Sequence, residues 1–280
     1  MESFDRDGLS FDVTDRGPRD GPVVVLLHGF PQSVLMWESL TPQLVAAGLR
    51  VVAFDQRGYS PRARPPGNRS YVLTELVADA AALIRALRVG PVHVLGHDWG
   101  AVVAWGLAGW HPDLLRTLTA VSVPHPSAVL GAALTSTQAL ASAYIGVFQL
   151  PWLPERVLAP EHPAGRWLLR RFLQASGQSA EHADRDIARL HDTAGLTTAL
   201  AWYRALPLGD RTPPPPSPVP TLFVWSDGDT AITAKAAELS ARHVTGSYQL
   251  EVLRGVSHWI PDEAPHALAA LLLHHVSTHS

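Results

Sequence analysis

The stretch that decides the fold is Val92-His93-Val94-Leu95-Gly96-His97-Asp98-Trp99-Gly100. Its first four residues read as a short strand, and a helix of small residues follows over about 101–108. A chain passing from strand to helix this abruptly lifts its central side chain above the sheet edge. The flanking residues are crowded and must be small, a demand that Gly96 and Gly100 meet. The central residue, Asp98, carries a carboxylate able to attack a carbon electrophile and form an alkyl ester. Aspartate is also a favoured helix N-cap, so the pentapeptide alone leaves a capping role open.

Outward from this turn the pattern is regular. Residues 23–27 and 51–54 are continuously apolar, as strands buried on both faces are. Leu76, Val77, Ala80, Leu83, Ile84 and Leu87 recur at helical spacing, with Gly90 placed to end that helix. Residues 118–123 read as another strand. Strands alternating with helices predict a parallel sheet covered on both faces. The rhythm breaks after Pro124-His125-Pro126, and positions 127–211 show helical patterns with no convincing strand. The segment from Thr212 to Pro220 is a stiff, polyproline-like connector, and strands resume at 221–225 and 248–253. The expected organisation is an α/β core over 1–125, a helical lid over 126–212, and the rest of the core over 213–280.

The 280 residues, 46% of them hydrophobic, suffice for one large α/β domain carrying an insertion. A net charge of −3 without a basic run argues against a nucleic-acid surface. Cysteine is absent, which removes thiolate nucleophiles, disulfides and thiolate metal ligands and suits a reducing compartment. The polar, acidic N-terminus lacks the apolar core of a signal peptide, so a cytoplasmic protein is expected. No Asp, Glu, Lys or Arg occurs from Thr117 to Pro154, but prolines and a Thr135-Ser136-Thr137-Gln138 run interrupt that stretch. It reads as strand, loop and helix over an apolar cavity, not as a membrane span.

Three further segments carry chemistry. His28-Gly29-Phe30-Pro31 follows a strand, where the backbone N–H groups of Phe30 and Trp99 could converge on one carboxylate oxygen. Pro31, in a tight turn, is a candidate for a cis bond. Ser226-Asp227-Gly228-Asp229 follows the strand at 221–225, and a carboxylate there can orient a histidine and stabilise its cation. Asp229, deeper in the loop, is preferred to Asp227. His258, in Ser257-His258-Trp259, supplies the histidine, and the chain order nucleophile, acid, histidine is typical of this architecture. His274, His275 and His279 lack ligand spacing and are expected at the surface.

His28-Gly29-Phe30-Pro31, Asp55-Gln56-Arg57-Gly58-Tyr59-Ser60, Gly96-His97-Asp98-Trp99-Gly100 and Ser257-His258-Trp259 together resemble the epoxide hydrolases of the α/β-hydrolase fold, over nearly the whole chain. The resemblance implies a mostly parallel central sheet with an inserted helical lid. It also implies Asp98 as nucleophile, His258 and Asp229 as base and acid, and Phe30 and Trp99 as the oxyanion hole. Tyr144, in Ala143-Tyr144-Ile145, and Tyr203, in Ala201-Trp202-Tyr203-Arg204, resemble the lid tyrosines that hydrogen-bond the epoxide oxygen. An apolar epoxide and water would be the partners, and a vicinal diol the product, with no metal or organic cofactor. His28, Pro31, Gln32, Trp37, Phe148, Trp202 and Trp259 are expected around the substrate.

The pattern also departs from the family. Ala101 follows Gly100 where a second glycine is common, and Ser60-Pro61 follows Tyr59. Haloalkane dehalogenases of the same branch usually carry Asn after His-Gly, where this chain has Phe30. The fluoroacetate type has Arg after the nucleophile, where this chain has Trp99. A haloalkane dehalogenase, or a ligand-binding relative without turnover, is the alternative reading.

Overall fold

The computed structural model describes residues 1–209 and 212–279. Among them, eight strands form one sheet: β1 (Ser3–Arg6), β2 (Leu9–Arg16), β3 (Val23–Leu27), β4 (Arg50–Phe54), β5 (Val92–His97), β6 (Leu115–Val121), β7 (Thr221–Ser226) and β8 (Tyr248–Leu253). Their spatial order is β1-β2-β4-β3-β5-β6-β7-β8. The β1–β2 and β2–β4 pairs are antiparallel, and the pairs from β4 to β8 are parallel. This is the mostly parallel sheet of an α/β-hydrolase fold.

Helices cover both faces: α1 (Thr41–Ala46), α2 (Leu73–Leu87) and α3 (Trp99–Trp110) come from the first part of the chain. Every residue of β3 and β5 is buried, which explains the unbroken apolar reading of β3; in β5 the buried His93 ring has its Nδ1 2.8 Å from Thr117 Oγ1. One apolar layer joins Val25, Leu27 and Val94 to α2 and α3, and the other joins Val24, Leu26 and Leu95 to Leu44 and the C-terminal helix. The two N-terminal strands were not expected. Only Phe4 and Phe11 of that hairpin are buried, stacked at 4.7 Å and edge-on to Phe54, so the strands show no continuous apolar run.

Strand β6 begins and ends earlier than its sequence pattern suggests. Arg116 and Thr117 hide its start, and the chain already turns at Ser122, where φ is +66°. Helix α2 stops where Arg88, not Gly90, first takes the left-handed conformation, at φ +54°.

Between β6 and β7 lie only helices among the described residues: α4 (Pro126–Thr135), α5 (Gln138–Ala141), α6 (Ala143–Phe148), α7 (Leu153–Leu158), α8 (Pro163–Ala175), α9 (Ala180–Leu190) and α10 (Thr193–Arg204), besides a short 3-10 turn. The expected end of this insertion near 212 runs across Asp210 and Arg211, which lie outside the described residues. The chain finishes with α11 (Ala234–Leu239), α12 (Ile260–Glu263) and α13 (Pro265–Thr278). His275 of α13, expected at the surface, is instead buried within that helix's inward face. No helix among the described residues is long and apolar enough to cross a membrane.

Candidate active site

The turn from β5 to α3 holds Asp98 at φ +53° and ψ −122°, a region that residues with a side chain rarely adopt. A Cβ on Gly96 would overlap the Gly100 carbonyl, and one on Gly100 would overlap that of Leu27, so both positions require glycine. Asp98 occupies the helix N-cap position, yet its side chain makes no capping bond. Its Oδ1 accepts the Phe30 N–H at 2.8 Å, and the Trp99 N–H also helps to hold its charge. The Phe30–Pro31 peptide is cis.

His258 stands between two carboxylates. Its Nδ1–H donates to Asp229 Oδ2 at 2.8 Å, and its Nε2 lies 3.5 Å from Asp98 Oδ2. The other Asp229 oxygen accepts the N–H groups of Ala231 and Ile232 at 2.7 and 2.9 Å. Asp227, the competing acid, is exposed and accepts only the Gly255 N–H, so the geometry selects Asp229. Burial opposes a charge on His258, but Asp229 and Asp98 outweigh it and raise its pKa to about 10. Burial likewise opposes the Asp98 charge, and His258 reverses that, holding the carboxyl below its ordinary range.

These groups open on a cavity of about 190 Å³ lined by Phe30, Asp98, Tyr144, Tyr203, His258 and Trp259. Ala141, Phe172, Leu173, Ala175, Ser176, Thr230 and Ala231 complete its wall. The Tyr144 and Tyr203 rings meet edge-on at 6.1 Å, and Tyr203 also packs edge-on against Phe30 and Trp99 at 5.2 Å. Burial, reinforced by the Asp98 charge, raises both phenols above their ordinary range, so both keep their protons.

Not every expected residue reaches the cavity. Trp37 is a correction: its ring lies in the apolar layer on the opposite face of the sheet, with Met36 and Leu40. His28 is buried behind the wall, where its Nε2 accepts the Gln56 N–H at 3.0 Å. Pro31 and Trp202 also stand outside the lining; the Trp202 indole donates to the Arg57 carbonyl at 2.8 Å while its ring backs Trp99. Phe148 buttresses Phe30 and both tyrosines from behind, with ring centroids 5.1–5.6 Å away. Gln32 instead links His97 Nδ1, at 3.0 Å, to Asp262, at 3.2 Å. His97 Nε2 lies 2.9 Å from the His258 carbonyl, and burial lowers the His97 pKa to about 4. Among the described residues, no cluster of three or more His, Cys, Asp or Glu could hold a metal ion.

Residues of α8 were missed by sequence reading. Phe172 and Ala175 sit on an amphipathic helix whose pattern says only that one face is covered. The Trp259 indole donates to Ser176 Oγ at 3.1 Å, which ties the end of α8 to the residue after His258.

A strand-end elbow bearing Asp98, with Asp229 after β7, His258 after β8 and a helical insertion between β6 and β7, defines the class. Residues 22–265 match the family model described as alpha/beta hydrolase fold, and the chain belongs to that family. It is 35% identical over 275 residues to AB hydrolase superfamily protein YfhM of Bacillus subtilis, covering 96% of this chain and 95% of that protein. It is 30% identical over 308 residues to Epoxide hydrolase A of Mycobacterium tuberculosis, covering 96% and 94% of the two chains. The crystal structure of Epoxide Hydrolase A from Mycobacterium thermoresistibile superposes with a TM-score of 0.83 at 26% identity, over 99% and 98% of the chains. The chain is thus a hydrolase with epoxide hydrolases among its relatives.

Proposed function

We propose that this chain hydrolyses an apolar epoxide to a vicinal diol through an ester on Asp98. The observation that carries this reading is the placing of two protonated phenols, Tyr144 and Tyr203, in one small apolar cavity with Asp98 and His258. An opening epoxide releases an alkoxide, which needs a proton donor; a leaving halide does not. A phenol supplies that proton where a backbone amide or indole N–H cannot.

In the resting site Asp98 is anionic and His258, between it and Asp229, is cationic, consistent with the shifts above. Asp98 attacks a ring carbon, the C–O bond breaks, and the oxygen takes a proton from a tyrosine. Esterified Asp98 no longer carries charge, so His258 loses one of the two anions that favour its proton. That proton passes back to the phenol, leaving His258 neutral and able to act as base. His258 then removes a proton from water as the oxygen adds to the ester carbonyl, and the Phe30 and Trp99 N–H groups hold the oxyanion. Collapse returns the Asp98 carboxylate, with the remaining water proton going to the departing alkoxide. The sum is epoxide plus water to diol, and the three charged groups end as they began. The reaction calls on side chains and water alone, with the insertion serving as lid, in a cytoplasmic protein.

The test is to trap the ester. His258→Gln, incubated with styrene oxide, should gain one substrate mass, located by peptide mapping on Asp98. A folded variant that binds styrene oxide and gains no mass would refute the covalent mechanism. Turnover of 1-chlorobutane but not of styrene oxide by the native chain would favour dehalogenation instead.

A further inference from the structure

Helix α5 contributes Ala141 to the cavity wall and begins with Gln138, whose side chain is wholly buried. The amide of Gln138 is used at both ends. Its Nε2 donates to the Ala231 carbonyl at 2.7 Å and to Ser142 Oγ at 2.9 Å. Its Oε1 accepts from the Thr233 N–H at 2.9 Å and from the Thr233 hydroxyl at 3.1 Å. Three of these four bonds leave the insertion and reach the loop that follows Asp229.

In that loop the Ala231 peptide is held from both sides. Its N–H donates to Asp229 Oδ1 and its carbonyl accepts from Gln138. The Ile232 N–H secures the same Asp229 oxygen, so the carboxylate is locked with its Oδ2 toward His258. On the core side, the Trp225 indole donates to the Ile232 carbonyl at 3.2 Å. Gln138 is the counterpart tie from the insertion.

We propose that Gln138 is a positioning residue that acts through the 229–233 loop to set Asp229 against His258. The base-dependent half of the reaction therefore answers to how the insertion is seated. This inference rests on the reading of Asp98, His258 and Asp229 given above. An apolar side chain of similar length fills the same space but leaves the Ala231 carbonyl and the Thr233 N–H unpaired, a cost that the loop relieves by shifting. Ester formation on Asp98 needs no base, so the shift is felt in ester hydrolysis.

Gln138→Met removes all these bonds, and Gln138→Glu keeps the acceptor for Thr233 while losing the donor to Ala231. Rapid-quench experiments with styrene oxide separate ester formation from ester hydrolysis, and proton NMR follows the downfield Nδ1–H signal of His258. Ester formation should stay within about 3-fold of the native rate while hydrolysis slows by about 10-fold or more, up to the 10²–10⁴ that a general base contributes in full. The downfield signal should move or vanish. Either variant decides the matter if only one folds. Native hydrolysis rates, or equal slowing of both halves with an unmoved signal, would overturn the proposal and leave Gln138 a lid anchor. If His258→Gln forms no ester on Asp98, the underlying reading falls and this proposal falls with it.

Discussion

Arg185 of α9 and Asp262 of α12 face each other through two bonds, Nη1 to Oδ1 at 2.9 Å and Nη2 to Oδ2 at 3.0 Å. Asp262 lies four residues beyond His258, so this pair joins the insertion to the histidine's own segment. Its side chain is only 3% exposed, and the same carboxylate receives Gln32. Arg185 also holds the buried Asp186, through Nε at 2.8 Å and Nη2 at 3.1 Å, so its removal strands both carboxylates, and breaking a buried pair costs about 3–5 kcal/mol. Arg185→Met should lower unfolding stability by about 3 kcal/mol in urea. Arg185→Met combined with Asp262→Leu should recover part of that loss. Equal stability of Arg185→Met and the native chain would show that the pair contributes nothing.

The backbone at Asp98 stores strain, since a side chain at φ +53° and ψ −122° costs about 1–3 kcal/mol. Asp98→Ala and Asp98→Gly should both abolish turnover. Asp98→Gly should be the more stable of the two by about 1 kcal/mol, because glycine meets no Cβ clash there. Thermal unfolding of the two variants measures the difference. A more stable alanine variant would contradict the strain.

On the proposed mechanism the two tyrosines decide the leaving group. Tyr144→Phe and Tyr203→Phe should each slow single-turnover ester formation from an epoxide by about 10–10³-fold, as loss of one preorganised donor does. The double variant should form almost none. If it forms ester at the native rate, the phenols only pack, and a halide becomes the better leaving group for this site.

The His258 proton links stability to pH. The folded pKa of about 10 lies above the ordinary 6.5, so proton binding favours the folded chain. That contribution is complete below about pH 6.5 and is lost as pH rises from there through about 10. The urea midpoint of the native chain should fall across this window more steeply than that of His258→Gln. Parallel profiles would mean that the histidine is neutral at rest.

The parallel strands from β3 to β8 and the three polar residues that follow them were legible because each depends on local pattern, whereas the N-terminal hairpin, with only Phe4 and Phe11 buried, was not. Residues 23–27 and 51–54 are continuously apolar, and Asp98, Asp229 and His258 follow strands in a fixed order. The cavity wall was not legible in the same way. Phe172 and Ala175 face the site only because α8 docks on Trp259, a contact made across 83 residues at Ser176. Arg185 and Asp262, 77 residues apart, have no local signature either. Trp37 misled for the opposite reason, since its nearness in sequence to His28-Gly29-Phe30 says nothing about which face of the sheet its ring takes.

Ala141, Ala175, Thr230 and Ala231 form a cluster of short side chains in the cavity wall, and Ala175 and Thr230 are exposed. None of them bears a group that the chemistry consumes or protonates. On the proposed mechanism admission is thereby separable from reaction: adding a few methylenes at Ala175, on α8 and away from the loop that holds Asp229, should alter which molecules pass while the carboxylates, imidazole and phenols stay where they are.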